Sequence, residues 1–152
     1  MKQTRKEQKI TQAMQPGALT GTGMLGTDRR PFAEIIESDH AEVQRLGLTH
    51  EKIAARMREL RDAGAKGFGF EIIVQDHFAV RVDSVRGRLS CPFQHKGSYR
   101  KEYTEVRNLK NGIQVLYSDL NIHMIEAHGF YEGRGAEFRQ DPAKLAHALE
   151  IV

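Results

Sequence analysis

Apolar positions along this chain change their period once, and the change divides it. From residue 31 to about residue 63 they recur at helical spacing. Phe32, Ile35, Ile36, Val43 and Leu46 share one face of a helix predicted over 31–46, while Glu34, Glu37, Asp39 and Glu42 make the other face acidic. Asp28 and Pro31 are its start signals and Gly47 its stop. Thr49 is placed to cap a second helix, to about residue 63, with Ile53, Met57 and Leu60 as its stripe. The short Gly-Leu-Thr joint predicts an antiparallel or angled pair.

Beyond Gly64, Gly67 and Gly69 the period becomes alternating. Residues 70–74 read as a strand and 75–77 as a turn. Residues 78–85 read as a half-buried strand, because Phe78, Val80 and Val82 alternate with Ala79, Arg81 and Asp83. Arg86-Gly87 is expected to turn the chain into a short strand over 88–91, followed by a loop over 92–98. Residues 99–108 and 113–117 form a predicted hairpin through Lys110-Asn111-Gly112. Ser118 is placed to cap a helix over 119–128 that Gly129 stops. A glycine-rich loop over 129–135 follows, tacked down by Phe130, Tyr131 and Phe138. Asp141 caps a last helix with Pro142 in its first position and Leu145 and Leu149 facing inward. A helix pair, then strands, then helices predicts α+β rather than βαβ. The expected architecture is an N-terminal helix pair, an antiparallel sheet of four to five strands and two C-terminal helices.

Residues 1–28 carry little that can be buried and read as a flexible basic tail ahead of a single domain over 29–152. Lys2, Arg5, Lys6 and Lys9 against Glu7 give +3 in the first ten residues, and the whole chain carries +3, so the rest is neutral. Gly21-Thr22-Gly23-Met24-Leu25-Gly26 matches G-x-G-x-x-G literally. The dinucleotide fingerprint also needs a strand before it and a helix opening from it, and neither is predicted here, so the stretch reads as a linker. The later loop over 129–135 follows a helix C-terminus, the wrong dipole end for a phosphate.

With 152 residues, 39% apolar and 28% charged, the composition is that of a globular domain large enough to fold without staples. One cysteine excludes an intramolecular disulfide framework. No run approaches the roughly 18 apolar residues of a membrane span, and the N-terminal stretch lacks the apolar core of a signal peptide. These features lead us to expect a cytoplasmic, bacterial protein with no membrane partner. Between Arg81 and Lys110 eight cations face Asp83, Glu102 and Glu105, a local +5. Arg81, Arg86, Arg88 and Arg107 are accordingly candidates to face an anion.

The candidate chemistry lies between Cys91 and His128. Thiolate and imidazole are the ligands zinc prefers, four at a time in a tetrahedron. Cys91 and His95 flank a predicted loop beside a hairpin, and His123 and His128 lie on the helix after it, so these four are the candidate metal ligands and zinc the candidate cofactor. The layout resembles that of strand-strand-helix zinc fingers over fewer than 40 residues. It departs from them in its first pair, Cys and His rather than two Cys, in that pair's spacing, and in the 27 residues between His95 and His123. Residues five apart on a helix stand about 140° apart around it, so His123 and His128 share an ion only if the helix end deviates, as it can before Gly129.

Two further resemblances bear on function. His123-x-x-Glu126 with His128 looks like the H-x-x-E-H signature of inverted zinc peptidases with one residue inserted, which makes His123, Glu126 and His128 candidate catalytic groups. Leu46 to Ala54 resembles the opening of a bacterial helix-turn-helix, but strands rather than a recognition helix are predicted after it, and the domain is neutral. Nucleic acid is therefore not the expected partner. No G-x-S-x-G elbow marks a serine nucleophile. The leading expectation is a binding or interaction domain with a structural Cys/His metal site. A small metal-dependent hydrolase is the alternative and a winged DNA-binding protein the weaker one. Ligand and oligomeric state remain open at this level.

Overall fold

The computed structural model describes residues 3–152. The described residues form an α+β fold of five helices and one four-stranded antiparallel sheet. The helix pair predicted from the apolar stripes is present as α2 (Phe32–Arg45) and α3 (His50–Gly64). Thr49 caps α3 by accepting from the Lys52 N–H. The chain then passes through a single 3-10 turn into strands, so no second helix follows α3 in the manner of a recognition helix.

The sheet is a meander of β1 (Ile72–Val74), β2 (Phe78–Ser90), β3 (Ser98–Asn108) and β4 (Gln114–Ser118), adjacent in that order. Ser118 then caps α4 (Asp119–His128) in a reciprocal box with Asn121, and Asp141 caps α5 (Pro142–Ala148). The main core lies between the sheet and α3, α4 and α5. It contains Ile53, Met57, Leu60, Phe78, Val80, Val106, Ile125 and Leu145. Tyr117 lies within it and donates its hydroxyl to the Met57 carbonyl at 2.7 Å, satisfying a buried O–H.

Two differences from the sequence reading bear on function. Arg86-Gly87 is not a turn. The register of β2 against β3 shifts between Ser84 and Arg88, and pairing resumes through Ser90 opposite Ser98. Gly87, at φ 109°, lets the strand deviate without leaving the ladder. The β2–β3 ribbon therefore continues as one ladder to Ser90 and Ser98 and ends in a loop over 91–97, which carries Cys91 and His95.

The second difference concerns the expected loose basic tail. Met1 and Lys2 lie outside the described residues. Residues 5–13 form α1 (Arg5–Ala13), with Thr4 and Glu7 in a capping box. Ile10, Met14 and Met24 are buried in a second apolar cluster with Phe32, Ile35, Cys91, Leu120, Met124 and Phe130. Backbone bonds hold the glycine-rich stretch down: Met24 N–H to the Met14 carbonyl (2.8 Å), Gly133 N–H to the Met24 carbonyl (2.8 Å) and Thr27 N–H to the Arg134 carbonyl (2.9 Å). Gly26 and Gly133 make this approach possible. A Cβ on Gly26 would lie 2.2 Å from the Ala136 nitrogen, and one on Gly133 would lie 2.2 Å from the Leu25 carbonyl oxygen. The few apolar residues of this segment thus pack as an outer layer, and their sparse spacing hid this.

Replacing Met24 by Ala should lower the free energy of unfolding by about 2–5 kcal/mol, as for other buried methionines. Denaturant titration measures this, and a loose arm would give a change within about 0.5 kcal/mol.

Candidate metal centre

The loop over 91–97 is pinned at its base. Arg88 donates Nε to the Ser98 hydroxyl (2.7 Å) and Nη2 to the Ser98 carbonyl (2.8 Å) across the last rungs of β2 and β3. Gln94 takes a left-handed backbone, φ 64°, and its amide donates to the Pro92 carbonyl at 3.2 Å. Phe93 then links the loop to the helical layer. Its ring stacks on His128 with centroids 4.1 Å apart and meets Phe32 and Phe130 edge-on.

The other half of the site comes from α4. Gly129, at φ 62°, ends the helix and returns its N–H to the Ile125 carbonyl, while the Phe130 N–H reaches the Met124 carbonyl. His128 is the last residue of that helix, which stays regular up to it. The two imidazoles, five residues apart, approach with centroids 5.3 Å apart. His95 lies against both: its Nε2 is 2.8 Å from the Nε2 of His123 and 3.1 Å from the Nε2 of His128. With Cys91 added, one donor atom from each of the four residues falls within 4.8 Å of the others.

The tautomer of His95 is set by a neighbour of this cluster. His95 Nδ1 is 3.1 Å from the Lys96 carbonyl, which can only accept, so that nitrogen carries the proton and Nε2 keeps its lone pair. His123 Nδ1 is 2.9 Å from the Tyr99 hydroxyl, the outer partner that a metal-bound imidazole commonly has. Burial, with His123 and His95 adding like charge, pushes His128 down to about 4. His123 is lowered for the same reason, burial first and then His95, with Glu126 opposing. Both are therefore neutral ligands near pH 7. Burial raises the Cys91 thiol, with the Phe93 N–H opposing the shift. A bound cation would reverse that shift and bind the thiolate.

The distances suit a tetrahedral ion. Zinc–nitrogen bonds of about 2.0–2.1 Å place neighbouring nitrogens of a tetrahedron about 3.3 Å apart. The imidazole nitrogens at 2.8 and 3.1 Å need open by only a few tenths of an ångström.

Glu126 does not join this cluster. Its two oxygens accept from the Arg58 guanidinium of α3 at 3.1 and 3.3 Å, so the group proposed as a water-activating base is paired with a cation. Three of the four candidate anion-binding arginines have protein partners of their own. Arg81 pairs with Asp83 (3.1 Å) and approaches Glu105 (3.8 Å), Arg107 lies 3.4 Å from Glu71, and Arg88 holds Ser98. Arg86 is exposed. Tyr99, Phe93 and Arg88 as supports of the site were not visible in the sequence. Tyr99 meets a partner 24 residues away, and no local spacing marks such a pair.

Comparison with known proteins assigns no family: no family model, curated protein or solved structure matches the chain.

Because the Arg58–Glu126 pair is largely exposed, Glu126→Gln should cost no more than about 1 kcal/mol of stability. It should also leave the metal content of the protein unchanged, as read by elemental analysis. Loss of bound metal in this variant would place Glu126 in the centre after all.

Proposed function

We propose that this chain is a small binding or interaction domain whose β2–β3 loop is fixed to the end of α4 by a structural zinc ion, held by Cys91, His95, His123 and His128. The observation that carries the reading is the convergence of a thiol and three imidazole nitrogens, from segments about thirty residues apart, within 4.8 Å. Four protein ligands complete a tetrahedron. Structural zinc sites are closed in this way, whereas catalytic ones keep a position for water. The Arg58–Glu126 pair also speaks for structure over hydrolysis.

Such an ion has a definite task in this fold. The outer half of β2, from Asp83 to Arg88, is exposed, so the ribbon that bears the loop lacks the apolar cover its inner half has. Cross-linking its tip to α4 supplies an anchor there. A lone cysteine acting as a thiolate ligand fits a reducing compartment, so the reading carries a cytoplasmic location with it. Among the described residues no helix is long and apolar enough to cross a membrane. The exposed tip around the site is a surface that the ion would hold in one shape for a partner.

Purified protein refolded with zinc should hold about one ion per chain by elemental analysis, and Cys91→Ala and His123→Ala should each abolish that binding. Absence of zinc from the refolded wild-type chain overturns the reading. Tyr99→Phe should keep the stoichiometry but weaken affinity roughly ten- to a hundred-fold in competition with a chelating dye, because it removes the outer partner of His123.

A further inference from the structure

A second site lies on the other side of the sheet from the main core. The N-terminal loop over 19–24 and the loop over 132–138 cover the outward face of β3 and β4 and leave a cleft of about 390 Å³. That volume is within the range of small-molecule pockets, roughly 300–1,000 Å³. Leu19, Met24, Leu89, Leu116, Leu120 and Phe138 supply its apolar wall, and none of the four metal-site residues lines it. Phe138 is fixed there by stacking on Tyr103 at 5.3 Å.

Glu132 forms the polar end of this cleft. Its side chain belongs to a residue only 5% exposed, yet no cation pairs with it among the described residues. Oε2 accepts from the Asn121 amide at 2.7 Å. Oε1 has no donor among the described residues, and it is not a sealed orphan either, since the only enclosed unpartnered side-chain atom among them is the Thr104 hydroxyl. Glu132 lines the cleft, and its Oε1 is neither hydrogen-bonded nor sealed away. The nearest guanidinium, that of Arg139, is committed elsewhere. It ion-pairs with Asp39 and donates to the Glu132 backbone carbonyl at 2.8 Å. Glu132 itself has φ 66°, a backbone that a side-chain-bearing residue adopts at some cost. A carboxyl without an ion-pair partner is thus held in a strained, buried position on the cleft wall with one oxygen unbonded.

We propose that this cleft binds a small apolar amine, with its ammonium on Glu132 and its hydrocarbon part against Leu116, Leu120 and Phe138. An ammonium offers the donors and the charge that the free oxygen lacks, and apolar surroundings strengthen such a pair. The charge of the lining agrees: Glu132 and Glu137 stand against Lys101 alone.

Binding should be coupled to a proton. Burial, aided by Glu137 and opposed by the Asn121 hydrogen bond and by Arg139, pushes the Glu132 carboxyl up to about 8. Lys101 and Tyr103 are the other titratable groups of the cleft wall facing it. At neutral pH the carboxyl is mostly protonated, and an arriving ammonium displaces that proton. Affinity should therefore rise about tenfold per pH unit below the carboxyl's own titration and level off above it.

The test is a calorimetric titration of the full chain with phenethylamine and, separately, with its neutral counterpart 2-phenylethanol. The amine should bind at least tenfold more tightly than the alcohol and release a proton at pH 7, and Glu132→Gln should remove both differences. Leu116→Trp, which adds bulk to the apolar wall and keeps Glu132, should abolish binding of both probes. It also provides the decisive variant if Glu132→Gln does not fold. Equal binding of amine and alcohol overturns the proposal, as does no binding of the amine to the wild-type chain at millimolar concentration. Survival of the preference in Glu132→Gln, or of amine binding in Leu116→Trp, overturns it too.

Discussion

Three imidazole nitrogens that close on one small volume, 2.8 and 3.1 Å apart, repel one another unless a proton or a cation lies among them. Much in the outer half of this fold is arranged to bring about that approach. His95 is fixed with its proton on Nδ1 by the Lys96 carbonyl, so its Nε2 faces His123 and His128 as a bare acceptor. The helix stop at Gly129, the Arg88–Ser98 clamp and the Phe93–His128 stack all act on the same few ångströms. A zinc ion would turn the repulsion into four bonds, and metal-binding free energy would then contribute directly to folding.

The position of the centre in the packing follows from this. Cys91 is buried in the second apolar cluster, which α1 and α2 share with Leu120, Met124 and Phe130. The ligand loop and the N-terminal layer therefore rest on the same face of α4. On the other side of that helix, Ile122 and Ile125 belong to the main core. Helix α4 joins both clusters and supplies two of the four donors. Its tie to α3 through Arg58 and Glu126 lies outside the metal cluster, on the surface of the bundle.

What the sequence showed and what it hid follow the reach of the forces involved. The caps at Thr49, Ser118 and Asp141 were legible because each is a bond between residues three apart. The alternation around Val80 and Val82 was legible because both are buried while Arg81 and Asp83 are exposed, although Ala79 on that outer face is buried too. Helix α1 was hidden because its burial rests on Ile10 together with Met14 and Met24 beyond its end, too sparse for a stripe. Arg86-Gly87 has the composition of a turn, and only the pairing of β3 across it carries the strand through. The four ligand types were legible, but their meeting was not: regular helical spacing sets His123 and His128 apart around α4, and their rings approach each other and His95 only through side-chain reach from a helix that stays regular to His128. Glu132 carried no signal, since its isolation from cations is a property of the whole fold.

The most direct test of the account is X-ray absorption at the zinc edge of the refolded protein. One sulfur at about 2.3 Å with three nitrogens at about 2.0 Å is the shell that Cys91, His95, His123 and His128 require. A shell of oxygen and nitrogen alone, or one with six neighbours, would contradict it and leave the cluster as four polar side chains that meet without holding an ion.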